Sequence, residues 1–124
     1  MQIFLTIAAV LGGLSVAAGA FGAHALEGKL TDRAQEVFET AARYQMYHAL
    51  ALVAVAILLT RPEAAQSLLN AAGIAFIVGV VLFCGSLYAL SLSGVKILGA
   101  VAPIGGLAFI IGWGCLAASA WTMK

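Results

Sequence analysis

Few side chains in this chain of 124 residues could do chemistry, and most of them cluster. The run Arg43-Tyr44-Gln45-Met46-Tyr47-His48 brings together a guanidinium, two phenols and an imidazole. Glu36 and Glu39 precede Arg43 at helical spacing, and His24 is the second histidine. Ser86 and Tyr88 add hydroxyls further along. Groups of these types suit a proton relay, general-base chemistry with His48 as the base, or recognition of a polar molecule. Which of these is open to them depends on the medium around them.

The composition answers that point. The chain is 64% hydrophobic and 9% charged, with a mean hydropathy of +1.10. A soluble domain carries roughly 45–50% apolar and about 25% charged residues, so the chain belongs in a bilayer. It has room for four spans of about 20 residues with short connections, and is read as a single membrane domain, 1–124. A net charge of +1 without any Lys/Arg run leaves no footprint for nucleic acid. Cys84 and Cys115 form neither a CxxC pair nor a zinc spacing, and no Ser-His-Asp set, P-loop or GxGxxG occurs. A zinc site needs three or four ligands. Two histidines with a surface carboxylate are a poor start, and a bis-histidine haem needs a large cavity. No metal, cofactor or catalytic residue is therefore assigned.

The expected fold is all-α: a four-helix membrane bundle with spans at about 3–26, 44–60, 66–92 and 96–121. Met1-Gln2 bring no basic residue and the first run is long for a signal sequence, so it is expected to be a retained span. Between spans one and two, residues 31–43 alternate Ala34, Val37, Phe38, Ala41 and Ala42 with charges. That pattern predicts an amphipathic helix, lying at the membrane surface or running directly into span two. Asp32 with Gln35 resembles a capping box at its start. Arg61-Pro62-Glu63 ends span two, because Pro cannot continue a helix and biases the residue before it. Pro103 is expected to kink span four.

Packing in lipid depends on close backbone approach over small residues. At 100° per residue, Ala8, Gly12, Ser15, Gly19 and Gly22 of span one form a seam, with Gly13, Ala17 and Ala20 on a neighbouring surface. The first span should therefore turn Ile3, Phe4, Ile7, Leu11, Leu14 and Phe21 to lipid, pack against two neighbours, and point His24 toward protein. Gly85, Gly105 and Gly106 are expected to do similar work in spans three and four.

With four spans, the 27–43 segment and the 93–96 turn share one side. That side carries Lys29, Arg33, Arg43 and Lys96, against Arg61 and Lys124 on the other. The positive excess predicts a cytoplasmic 27–43 segment, with both termini outside the bacterial inner membrane. The same topology gathers His24, Glu39, Arg43, Tyr44, Tyr47, His48, Ser86 and Tyr88 in one leaflet, as a polar cup over an apolar floor. Glu39 or Glu36 is the expected partner of Arg43, and His24 or a tyrosine hydroxyl that of His48. Arg and Tyr at interface depth also serve as plain helix anchors.

Four motifs occur in order: Gly19-Ala20-Phe21-Gly22-Ala23-His24-Ala25-Leu26, Arg43 to Leu50, Gly85-Ser86-Leu87-Tyr88, and Pro103-Ile104-Gly105-Gly106 with Gly112-Trp113. Across nearly the whole chain this resembles the domain of unknown function 423 family of small bacterial membrane proteins, to which animal transmembrane protein 256 is similar. Cys84 departs from the pattern, standing where a small residue such as Ser is expected. The resemblance implies a four-span inner-membrane protein and brings no reaction, substrate or cofactor. The leading expectation is a structural or accessory protein that binds a lipid or a membrane-protein partner through the cup. A small transporter or proton-coupled carrier, as a homo-oligomer, is the alternative, followed by an intramembrane enzyme and a haem or metal binder.

Overall fold

A computed structural model describes residues 2–123 and is all-helical. Met1 and Lys124, the latter counted above among the outer-side charges, lie outside the described residues. Four helices are long and apolar enough to cross a membrane. We number them α1 (Gln2–His24), α2 (Asp32–Leu58), α3 (Gln66–Ser93) and α4 (Ala102–Thr122).

The amphipathic segment and span two are one continuous helix, α2. Thr31 caps it: its side-chain oxygen accepts from the Ala34 N–H at 3.1 Å, satisfying one of the donors that a helix start leaves free. The cap thus falls one residue before Asp32, and Gln35, the other half of the expected capping box, reaches instead to the Gly22 carbonyl of α1 at 2.6 Å. Gly28, at φ +76°, turns the chain between α1 and α2, and Gly94, at φ +73°, closes α3. Both occupy a backbone region that a Cβ disfavours. Around Pro62, Arg61 Nε donates to Glu63 Oε1 at 2.6 Å, the one ion pair among the described residues. A backbone hydrogen bond first, and Arg61 second, hold the Glu63 carboxyl below its usual range.

Pro103 causes no kink. It stands in the first turn of α4, where its missing N–H has no intrahelical partner to lose, after a 3₁₀ turn over Lys96–Ala100. The irregular helix is α3, which passes through a π-helical turn at Val80–Cys84. Such a turn inserts extra backbone into the helix and shifts the phase of everything beyond it.

Helices α2 and α3 form the centre, α1 lies along α2, and α4 lies along α3. The core joins Ala41, Ala51 and Val55 of α2, Leu69, Ala72, Phe76, Val80 and Cys84 of α3, and Phe109 of α4. Helix α1 buries Ala8, Ser15 and Gly22 at every second turn, while Ile3, Leu14 and Phe21 face outward. Its second small surface, with Gly13, Ala17 and Ala20, is exposed, so α1 has one principal neighbour and not two. Phe4 supplements it by packing over Gly73 of α3, where an added Cβ would come within 2.6 Å of the ring.

The glycines divide in the same way. A Cβ on Gly22 would come within 2.8 Å of the Phe38 ring, and one on Gly105 would run into the Phe83 backbone. Gly19 and Gly85, expected at packing seams, have open space beside them, while Gly12 and Gly106 have room for an ordinary contact. Closer approaches occur at Gly79, under the Phe109 ring, and at Gly112, where a Cβ would lie 2.6 Å from Phe76. These two set the α3–α4 spacing.

Candidate functional site

The groups expected in one cup are distributed over two sides of α2. Tyr44 and His48 face α4, whereas Tyr88 meets α2 at Gln45, on the side that faces α1. His24, at the end of α1, is exposed, and no hydrogen bond links it to His48. Ser86 is buried and donates to the Phe83 carbonyl of its own helix at 3.0 Å. Arg43 is exposed and forms no ion pair with Glu36 or Glu39; its Nη2 lies 3.5 Å from Thr40 Oγ1. Tyr88 donates to Gln45 Oε1 at 2.8 Å, on the α1 side.

The α1 side is a seam of polar bonds. Gln45, buried, also donates through Nε2 to the Leu11 carbonyl at 2.8 Å. Ser15 donates to the Ala42 carbonyl at 2.7 Å. With Gln35 on Gly22, this places three side-chain donors on main-chain carbonyls of the facing helix. Lipid provides little hydrophobic force between helices, so bonds of this kind and close small-residue contact hold α1 in place. The signal for Gln45 was legible, since an amide inside an apolar run requires partners.

The α4 side holds His48. Its Nε2 lies 3.0 Å from Trp113 Nε1, and its Nδ1 lies 2.7 Å from the Tyr44 carbonyl oxygen. An indole nitrogen can only donate. Nε2 is therefore the acceptor and Nδ1 carries the hydrogen donated to Tyr44, which selects one neutral tautomer. The ring stacks on Phe109 with centroids 3.5 Å apart and planes 8° from parallel. Phe109 is the central residue of the Lys96–Thr122 span, so His48 lies at mid-span, deeper than one turn inside an interface beginning at residue 44. Trp113, at the same depth, is far from the interface where Trp is commonest. Trp113 is partly exposed on the bundle surface, but an indole N–H at membrane depth still needs an acceptor, and that was the available sign of a polar partner.

Around this pair runs an aromatic chain. Phe76 meets Trp113 edge-on at 5.2 Å, and Phe83 lies 4.9 Å from Tyr44 and 5.5 Å from Phe109. The π turn carries Phe83 into this set, and Gly105 leaves room for its backbone. Of these rings, His48, Phe83, Phe109 and Trp113 wall a groove of about 740 Å³ between α2 and α4. Pro103, Gly106, Leu107 and Ile110 complete its α4 wall, and Tyr44, at 38% exposure, and Tyr47, at 51%, stand on its α2 wall. Neither tyrosine hydroxyl has a hydrogen-bond partner among the described residues. No group of metal-binding side chains forms among those residues.

Residues 18–106 match the family model described as "Protein of unknown function (DUF423)". The chain is 47% identical over 113 residues to the UPF0382 membrane protein YwdK of Bacillus subtilis, covering 91% of each. It is also 47% identical over 114 residues to the UPF0382 membrane protein SH2409 of Staphylococcus haemolyticus, covering 91% of this chain and 90% of the relative. A Staphylococcus epidermidis relative, SERP0230, is 46% identical over 114 residues. No solved structure matches the chain. With its four apolar helices and these relatives, the chain is a multi-pass membrane protein and belongs to the DUF423 family.

Proposed function

We propose that this protein is a membrane-embedded accessory protein that binds bilayer lipid, holding an acyl chain in the groove between α2 and α4. The observation that carries this reading is the full engagement of His48. Both ring nitrogens are bonded within the protein, to Tyr44 and Trp113, and the ring face is covered by Phe109. A general base or proton relay needs a ring nitrogen free to exchange its proton with substrate or water; here the imidazole is a wall component. What the groove offers a ligand is shape. Its volume of about 740 Å³ falls in the range of roughly 300–1,000 Å³ common for small-molecule sites, and rigid aromatic rings line it.

The same reading places the Lys29, Arg33, Arg43 and Lys96 end on the cytoplasmic side of the bacterial inner membrane, by the excess of basic residues there. The test is photocrosslinking in liposomes with phosphatidylcholine carrying a diazirine on one acyl chain. Peptides bearing Phe109 or Trp113 should be labelled, and Gly106→Leu, which projects a side chain into the groove, should reduce that labelling while label on the outward face of α1 persists. Equal labelling of both surfaces, unchanged by Gly106→Leu, would show only ordinary solvation by the bilayer and defeat the reading.

A further inference from the structure

We infer that the groove selects lipids with an anionic headgroup, read by Arg43 with the hydroxyls of Tyr44 and Tyr47. This rests on the acyl-chain reading above and adds the headgroup class to it. Arg43 precedes Tyr44 and stands one turn before Tyr47, so it lies at the groove's end nearest the 27–31 turn. Its guanidinium is exposed, and its one side-chain hydrogen bond among the described residues is the 3.5 Å contact to Thr40. Glu39 and Glu36, the carboxylates on the same face, leave it unpaired, and they lie toward the helix start, away from the groove.

The two phenols strengthen the case. Tyr44 and Tyr47 are partly exposed and their rings lie 5.5 Å apart. Helical side chains lean toward the helix N-terminus, which tilts both phenols toward the turn that carries Arg43. The result is five guanidinium N–H donors and two hydroxyls on one short stretch of α2, beside an apolar slot. Arg43 stands five residues before mid-span His48, about 7.5 Å from the midplane. Its side chain reaches toward Thr40 and the headgroups, where a guanidinium matches the geometry of a phosphate oxygen pair. Charge complementarity therefore commits the occupant to a phospholipid with net negative charge, its phosphate at Arg43 and one chain along Phe83, Phe109 and Trp113.

The probes are phosphatidylglycerol and phosphatidylcholine carrying the same diazirine chain, each offered to the purified protein in liposomes. Labelling of the Phe109–Trp113 peptide should favour phosphatidylglycerol by about fivefold, the scale of one basic residue at a lipid surface. Arg43→Gln should abolish that preference while both lipids still label the groove, and that remaining label shows that the groove has kept its form. Neither Arg43 nor Lys96 lines the groove itself, but Arg43 adjoins its wall residue Tyr44, whereas Lys96 lies in a separate hollow with Thr31 and Arg33; Lys96→Gln should therefore keep the preference. Equal labelling by both lipids in the unaltered protein, or equal loss in Lys96→Gln, overturns the headgroup inference while the acyl-chain reading stands. No labelling of the groove by either lipid overturns both.

Discussion

His48 of α2 and Trp113 of α4, far apart in the chain, meet at mid-span through a hydrogen bond of 3.0 Å from the indole N–H to Nε2. The pair joins two helices whose backbones have little contact with each other. Trp113→Phe keeps a ring in place and removes the donor, leaving Nε2 without its partner. The expected cost is about 1–3 kcal/mol, the usual penalty for an unsatisfied buried polar atom. The double variant with His48→Phe should recover part of it, because both polar atoms then disappear together. A double-mutant cycle read by unfolding in mixed micelles checks this, and strictly additive losses would show the bond to be uncoupled.

Gln45 bonds to α1 and α3 together, through the Leu11 carbonyl and the Tyr88 hydroxyl. Gln45→Leu deletes both bonds and leaves the Tyr88 hydroxyl beside hydrocarbon. Tyr88→Phe deletes one bond, and polar bonds between membrane helices average about 0.6 kcal/mol. We expect Gln45→Leu to destabilise by about 1–3 kcal/mol, clearly more than Tyr88→Phe. Crosslinking between cysteines introduced in α1 and α2 should fall in the first variant and persist in the second.

Gly105 and Gly85 offer a paired test of packing. A Cβ at Gly105 meets the Phe83 backbone, which cannot turn aside, whereas Gly85 has open space. Gly105→Ala should cost about 1–3 kcal/mol by overpacking and displace Phe83 from the groove wall. Gly85→Ala should leave the melting temperature unchanged or raise it, since Ala is the better helix former. If the two melt alike, the α3–α4 contact is looser than the structure has it.

The Thr31 cap is expected to matter despite its exposure. Thr31→Ala removes the acceptor for the Ala34 N–H and should cost about 0.5–2 kcal/mol. Since α2 is one helix from Asp32, the loss should appear as fraying near Phe38, measured as faster amide exchange there. Unchanged amide exchange over these first turns in Thr31→Ala would show that the cap does not hold this end of α2.

Orientation has its own measurement. Single cysteines at Ser93 and at Pro62, on opposite ends of α3, should react with a membrane-impermeant thiol reagent from opposite sides. The positive excess predicts that Ser93→Cys is protected in intact cells and Pro62→Cys is labelled. The reverse pattern would turn the protein over and put Arg43 in the outer leaflet.

The sequence by itself determined the medium, the number of spans and most helix ends. Hydropathy, helical period, Gly94 and Pro62 act within a few residues, so the α1 seam of Ala8, Ser15 and Gly22 could be read directly. It also placed the Arg43–Leu50 stretch at the centre of interest. Depth and rotation between helices were decided only by tertiary structure. Counting inward from residue 44 left His48 near an interface; α2 begins instead at Asp32, and packing against Phe109 puts His48 at mid-span. The expected cup divided because Tyr44 and His48 point one way from α2, whereas Tyr88 meets α2 on another side, at Gln45. The π turn at Val80–Cys84 re-aims Phe83 by a phase shift that no 100° projection contains. Non-local partners such as Trp113 for His48 carry no local sequence signature, because such a bond depends on how the helices pack, and that follows from the whole set of facing side chains.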